Sequence, residues 1–446
     1  MERERLGSRL GFILLSAGCA IGCGNVWKFP WMTGQNGGAG FVLIYILCLL
    51  VLGVPIMTME FSLGRASQAS PIKMYQKLGH PNWKFHGIVS LFGNIALMAF
   101  YTVVTGWIFN FFVKFLTGNV EADVQETGFV NMITNPGLNV AFLAVVVVLG
   151  FFVLSFNLQS GLEKVTKVMM IGLLILMIGL AIYCACLPNA AEGLRFYMVP
   201  DFSKVTLNTV VGAMNQAFFT LSIGMGSMAI FGSYIDKERS LLGESVNVIV
   251  LDTVVALLAG FIIFPACSSV GVSVDAGPAL LFNTMAGVFN TMKGGRILGI
   301  LFFLFMIFAA FSTVLAVFEN ILAMVRELTG WGRVKGCIIC GIGIFVLGLT
   351  TALGFSVLSG FEPFAPGSAF LDFWDFIVST NILPLGSMIM AVFCTTDFGW
   401  GWKNFVAEAN TGKGLKIKNW MQAVFNVVPV IVLALWLYGI VTFAWK

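Results

Sequence analysis

Charge is what this chain has least of. Of 446 residues, 25 are Lys or Arg, 21 are Asp or Glu and two are His. The charged fraction is 10%, where soluble domains carry about 25%, and that excludes a soluble globular domain. With His80 and His86 the only histidines, flanking a loop, imidazole catalysis has almost nothing to work with. Metal chemistry is equally short of ligands: Cys337 and Cys340 form a CxxC, but it opens an apolar span and lacks a second pair or a nearby histidine. The nine cysteines fall almost entirely within apolar runs and read as small apolar residues. No carboxylate pair shares a helix face with a nucleophile, so an enzyme is not expected. Basic residues are scattered over short loops, which leaves no nucleic-acid footprint. No cleavable signal peptide is expected either, because Glu2-Arg3-Glu4-Arg5 leads straight into an apolar run without a small-residue cleavage site.

What the chain has in abundance is apolar length. It is 58% hydrophobic with a mean hydropathy of +0.93, and segments of about 20 apolar residues each cross a bilayer. Eleven are expected, near residues 10–35, 39–66, 86–117, 138–156, 161–187, 207–233, 242–270, 295–329, 335–353, 370–396 and 420–444. The predicted fold is an all-α membrane protein forming one domain over 1–446. An amino terminus held inside places all but seven of the 25 basic residues on the cytoplasmic side. Lys446 then lies outside, in a multi-pass protein of the cell (inner) membrane.

Two spans are interrupted. The first contains Gly22-Cys23-Gly24-Asn25, followed by Trp27-Lys28-Phe29-Pro30, and the sixth contains Asn215 to Ser227 with Gly224 and Gly226. In hydrocarbon every backbone amide needs a partner, so such breaks are tolerated where freed groups line a cavity or hold an ion. Their matching positions, five spans apart, point to two inverted repeats with a site near the midplane. Packing through small residues is the competing explanation, but these runs are denser in glycine than packing requires. A broken helix offers a positive half-helix end to a carboxylate and free carbonyls to a cation. Hard oxygen ligands stand nearby in sequence: Asn25, Thr220, Asp252, Ser312 and Thr313. Asp252 has no basic neighbour in its span, and a buried carboxylate is costly without a compensating cation or proton. Glu60 and Glu319 are also intramembrane, and for them structural hydrogen bonding is favoured over ion contact.

Several stretches together resemble the neurotransmitter:sodium symporters, specifically their bacterial eleven-span amino-acid transporters. These are Arg9 to Leu14, Gly22 to Pro30, Glu60-Phe61-Ser62-Leu63-Gly64-Arg65, Phe218 to Ser222 and Phe308 to Thr313. The resemblance covers nearly the whole chain. It implies a LeuT-type 5+5 inverted repeat with spans 1 and 6 broken: residues 1–187 as the first repeat, 207–396 as the second, and 420–444 outside both. It also implies sodium-coupled symport of an L-amino acid by alternating access, with sodium, the amino acid and the lipid bilayer as partners. A first sodium would take the Ala20 carbonyl, Asn25, Thr220, Asp252 and the substrate carboxylate. A second would take the carbonyls of Gly18, Ile21 and Ala309 with Ser312 and Thr313.

Chloride-requiring relatives hold a neutral asparagine and a serine where this chain has Asp252 and Ala256. Tyr45, Gln216 and Ser222 match other positions around the halide site, but an anion 4 Å from Asp252 would be repelled by ~4 kcal/mol at an effective dielectric of 20. Chloride-independent transport is therefore expected. Monoamine relatives carry an aspartate at the position of Gly22, so glycine here implies a substrate with its own carboxylate, held by Tyr101. Ala20, Gly24, Thr220, Ser222 and Thr313 are also implied to contact the substrate. Phe219 would close over the substrate, and Cys19, Leu97, Met225 and Val317 would line an apolar pocket suited to hydrophobic or aromatic side chains. Small neutral amino acids, amines, or a non-transporting sensor on the same fold are the alternatives. Lys28 and Asp375 would form the outer gate and Arg3 and Glu327 the inner one, supported by Ser233 and Tyr234. Leu6 stands where many relatives have tryptophan. In the fifth span Gly161 is present, but Ile171 occupies the position of a helix-breaking proline, which leaves Gly172 or another route for hydrating the second sodium.

Overall fold

Residues 6–121, 124–271, 280–292 and 294–442 are described by a computed structural model. Among them all repeating structure is helical, apart from one bridge joining Arg239 to Lys413 between two loops. Nine helices are long and apolar enough to cross a membrane: Ala39–Ser67, Pro81–Thr117, Pro136–Ser155, Gly161–Ala185, Leu241–Ser269, Gly295–Thr329, Arg333–Ala352, Phe370–Thr395 and Met421–Thr442. A tenth is the bent pair Arg9–Ala20 and Gly24–Gln35, which turns by 51° at its break. The remaining expected span is split into Leu207–Leu221 and Ser227–Gly232. Pro136 opens its span, where a missing N–H costs least, whereas Pro55 and Pro384 each follow a wide turn in mid-span, at Leu49–Gly53 and Phe376–Ile382, and Pro265 and Pro429 lie inside helices.

Apolar side chains such as Val148, Ile175, Ile182, Ile342 and Val430 stay exposed on the outer helix faces. Only a hydrocarbon solvent covers such a surface without cost. The third and eighth spans are the most enclosed, with 72% and 78% of their most apolar windows buried, against 17% for the last. They run along one another, Phe303 stacking on both Phe111 and Phe115. The first span packs on the eighth and the seventh. Spans 1, 3, 6, 7 and 8 therefore hold whatever sits at the centre.

Three details depart from the expectations. The break in the sixth span is narrower than Asn215 to Ser227: residues through Leu221 stay helical, and only Ser222 to Gly226 leave the helix. Asn215 and Gln216 are polar but not helix-breaking. The fifth span takes a wide turn at Gln159–Glu163, containing Gly161, and then runs unbroken through Ile171 to Ala185. His86 is not peripheral; it is fully buried, with Nδ1 2.8 Å from the Tyr75 hydroxyl.

Candidate functional site

The first break frees backbone groups at the end of Arg9–Ala20, where Ile21 turns extended, and side chains of the same span and of the third and sixth take them up. The Gly22 amide donates to Asn25 Oδ1 at 3.1 Å and the Cys23 amide to the Tyr101 hydroxyl at 2.8 Å. Ser222 Oγ donates to the Cys19 carbonyl at 3.1 Å, and Gln216 Nε2 to the Gly24 carbonyl at 2.6 Å. Gly22 has no room for a side chain, since a Cβ there would run into the Tyr101 hydroxyl and Thr313 Oγ1. Gly24 lies against Phe219, whose Cδ1 would be 3.0 Å from its Cβ.

The second break turns through Ser222, in the left-handed region at φ 50°, and through Gly224 at φ 91° and Gly226 at φ 75°. A Cβ on Gly224 would strike the Leu383 carbonyl. The N–H groups that face out of this turn are met by a carboxylate: Glu60 accepts from Gly224 at 3.0 Å and from Met228 at 3.1 Å. This satisfies orphan donors at a helix start and complements its dipole. Glu319 is likewise bound by protein groups, 2.6 Å from Arg333 and 3.0 Å from the Tyr234 hydroxyl. The expected structural hydrogen bonding of both glutamates is present.

Asp252 forms a node between the two breaks. It is fully buried and accepts from Asn25 Nδ2 at 2.8 Å, Thr220 Oγ1 at 3.1 Å and the Tyr45 hydroxyl at 3.4 Å. Asn25 also donates to the Asp252 carbonyl at 3.1 Å. Among the described residues no Lys or Arg pairs with this carboxylate. A buried carboxylate with no cationic side chain, beside the Thr220 and Tyr45 hydroxyls and the Asn25 amide, is chemically apt for a small hard cation.

A second group of oxygens gathers where the first and eighth spans touch. Thr313 Oγ1 lies 3.1 Å from the Gly18 carbonyl, 3.2 Å from that of Ile21 and 3.4 Å from that of Ala309. Ser312 Oγ lies 2.9 Å from the Ala309 carbonyl. These are hydrogen-bond distances, and the group collects hydroxyl and carbonyl oxygens, the hard ligands that an alkali or alkaline-earth cation takes. Gly18 keeps the seam close: a Cβ on it would be 2.8 Å from Thr166 Cγ2.

Cys19, Leu97, Met225 and Val317, the expected side-chain pocket, are all buried. A cavity of about 100 Å³ is lined by Tyr101, Phe219, Lys28 and Asp375, with Trp27 and Phe100 among its walls. Lys28 Nζ is 3.1 Å from both Asp375 oxygens and sits 4.4 Å from the centre of the Phe219 ring, a cation–π distance. The structure thus brings the expected outer pair together.

On the opposite side Arg3 lies outside the described residues. Glu327 accepts from the Ser70 amide at 3.0 Å and its hydroxyl at 2.5 Å. Tyr234, expected to support the Arg3–Glu327 pair, donates to Glu319 at 3.0 Å, about two turns before Glu327 on the eighth span. Leu6 is docked through its amide to the Tyr234 carbonyl at 3.2 Å. The contacts that hold this end were missed from sequence. Glu163 binds the Gly7 amide at 2.8 Å, Ser8 at 3.0 Å and Lys167 at 2.7 Å. Arg9 pairs with Glu244 at 2.8 Å, and Arg65 with Glu408 at 2.6 Å. The available signal was a carboxylate at the first turn of an apolar span, where an anion has no other reason to be.

Comparison with known proteins gives one answer. The sodium:neurotransmitter symporter family model matches residues 3–127 and 120–446. The sodium-dependent transporter YhdH of Bacillus subtilis is 33% identical over 98% of both chains. A sodium-dependent transporter of Haemophilus influenzae is 30% identical, again over 98% of each. Among solved structures, MhsT in complex with L-phenylalanine superposes with a TM-score of 0.89 at 35% identity, covering 98% of this chain and 99% of that one.

Proposed function

Because the chain belongs to the sodium:neurotransmitter symporter family, a family of sodium-dependent membrane transporters, we propose that it carries hydrophobic or aromatic L-amino acids together with sodium, without chloride. The observation that carries this reading is Asp252, buried and held by Asn25, Thr220 and Tyr45 with no cationic side chain beside it among the described residues. A permanent carboxylate supplies the charge that a halide would otherwise bring. In this reading the first sodium meets the Ala20 carbonyl, Asn25 Oδ1, Thr220 and Asp252, and the second meets Gly18, Ile21, Ala309, Ser312 and Thr313.

The substrate carboxylate takes the space beside Gly22 and the Tyr101 hydroxyl, touching the first ion. Its side chain lies among Cys19, Leu97, Met225 and Val317, where nothing charged would answer a charged side chain. The likeness to a structure holding L-phenylalanine supports the same class. An amine would leave the first ion without its carboxylate partner, and Gly22 has no room for an acid in its place. We read residues 1–187 and 207–396 as inverted repeats that rock about this site. The amino terminus is cytoplasmic and the carboxyl terminus extracytoplasmic. Lys28 with Asp375 closes the outer side, and Glu327 and Tyr234 help to close the inner.

The test is uptake of radiolabelled L-phenylalanine, L-tyrosine and L-leucine into proteoliposomes under an inward sodium gradient, with chloride or gluconate as the anion. Accumulation that needs sodium and survives gluconate is expected. In Asp252→Asn it should vanish or become chloride-dependent. Sodium-dependent binding without accumulation would replace the transporter by a sensor.

A further inference from the structure

We propose that the far end of the side-chain pocket is a hydrogen-bond acceptor for an aromatic substrate with a donor at its tip, the phenol of tyrosine above all, and that Asn320 Oδ1 is the acceptor. The inference rests on the amino-acid reading above and sharpens it. Two helix faces carry it. On the third span Tyr101, Leu97 and Asn94 are spaced four and three residues apart, and on the eighth Thr313, Val317 and Asn320 follow the same spacing, so each trio shares one face. The upper members converge on Gly22, whose Cβ would meet both Tyr101 and Thr313. The lower members meet each other, Asn320 Nδ2 lying 3.4 Å from Asn94 Oδ1. Between them the wall is apolar. The column is therefore polar, apolar and polar again.

Hydrogen bonding fixes which way the two amides point. Asn94 Nδ2 donates to the Ser90 carbonyl at 2.7 Å and the Met225 carbonyl at 3.0 Å, so its Oδ1 is the atom turned toward Asn320 and Ser227. Asn320 must then present its Nδ2 to Asn94, which leaves Asn320 Oδ1 fully buried and without a hydrogen-bond partner. Asn94 and Ser227 are also fully buried. A buried amide oxygen with no partner is expensive, and the group that satisfies it gains accordingly. Seven residues separate Tyr101 from Asn94, about 10 Å of helical rise, on the order of tyrosine from carboxylate to hydroxyl with one hydrogen bond added. Phenylalanine or leucine fills the apolar middle and seals the oxygen off dry. Sites built to bond a substrate hydroxyl discriminate strongly against analogues that lack it.

The experiment is competition against radiolabelled L-phenylalanine on the full-length protein in sodium, using L-tyrosine, L-tryptophan, L-leucine and 4-fluoro-L-phenylalanine, which is close to tyrosine in size and carries no donor. Tyrosine is expected to bind roughly five- to tenfold more tightly than phenylalanine. Tryptophan should fall between them and the fluoro analogue should gain nothing. In Asn320→Leu the tyrosine-to-phenylalanine ratio should collapse to about one. Wild-type protein that binds phenylalanine or its fluoro analogue as tightly as tyrosine overturns the proposal without any variant, as does a ratio that survives Asn320→Leu. In those cases sodium-dependent phenylalanine and leucine binding leaves the amino-acid reading standing. Failure of every amino acid to bind in sodium removes both.

Discussion

Gly22 concentrates the chemistry of the site in one missing side chain. Its amide is held by Asn25, and the volume where a Cβ would be is already claimed by the Tyr101 hydroxyl and Thr313 Oγ1. Gly22→Ala should weaken sodium-dependent binding of phenylalanine roughly 10- to 100-fold, the scale of overpacking a tight site. An isotherm on the monodisperse fraction of the variant checks this, and wild-type affinity would show that the space beside Gly22 does not limit the substrate. Single residues of this kind were legible. Asn25, Thr220 and Asp252 stand out in sequence because hydrocarbon leaves a polar side chain few reasons to exist, and the structure gathers them within hydrogen-bond reach. His86 was not, because an imidazole at the start of a span reads equally well as interfacial, and nothing in the sequence says that Asn94 and Asn320, on different spans, meet. Only the neighbours on the third, sixth and eighth spans reveal that they are buried.

At the scale of elements the two breaks are asymmetric in how they are supported. The first is served by scattered side chains: Thr313, Ser222 and Gln216 donate to its carbonyls, and Tyr101 accepts from the Cys23 amide. The second depends on one carboxylate, Glu60, which accepts from both Gly224 and Met228. Hydrogen bonds to a charged acceptor contribute about 1.5–3 kcal/mol each, and leaving a buried N–H unmet costs about as much. Glu60→Ala should therefore destabilise the fold by about 3 kcal/mol or more and lower the melting temperature in detergent well beyond Glu60→Gln, which keeps one acceptor oxygen. A shift of equal size in the two variants would mean that the turn at Ser222–Gly226 holds without its carboxylate. The position of the breaks was readable from glycine density, but their extent was not. Asn215 and Gln216 are tolerated in a helix whose side chains have partners, and Gln216 finds one in the Gly24 carbonyl. The unbroken fifth span was readable too, since Ile171 lacks the ring that ends a helix, and the wide turn at Gln159–Glu163 places the irregularity two turns earlier.

For the whole molecule the long apolar runs correspond to nine helices and one bent pair long and apolar enough to cross a membrane among the described residues, while the pairing of the third span with the eighth had no sequence signature and arises from packing alone. Orientation depends on the distribution of basic residues, and one native side chain reports on it. Eight of the nine cysteines are buried, and Cys186, just past the fifth span, is the exposed one. Five crossings from a cytoplasmic amino terminus put Cys186 outside. A membrane-impermeant maleimide added to intact cells should thus label the protein, and Cys186→Ser should abolish the labelling. Labelling that appears only after permeabilisation would invert the assignment. It would also exchange the roles of the two closures, because the Lys28–Asp375 pair lies at the same end of the bundle as Cys186, and the Glu163, Glu244 and Glu408 contacts lie at the other. With the labelled orientation, the single cation–π-braced lysine faces the medium from which substrate enters. On that assignment the Glu163, Glu244 and Glu408 ion pairs face the cytoplasm, so opening the inner side is expected to break more such pairs than opening the outer one, which holds Lys28–Asp375.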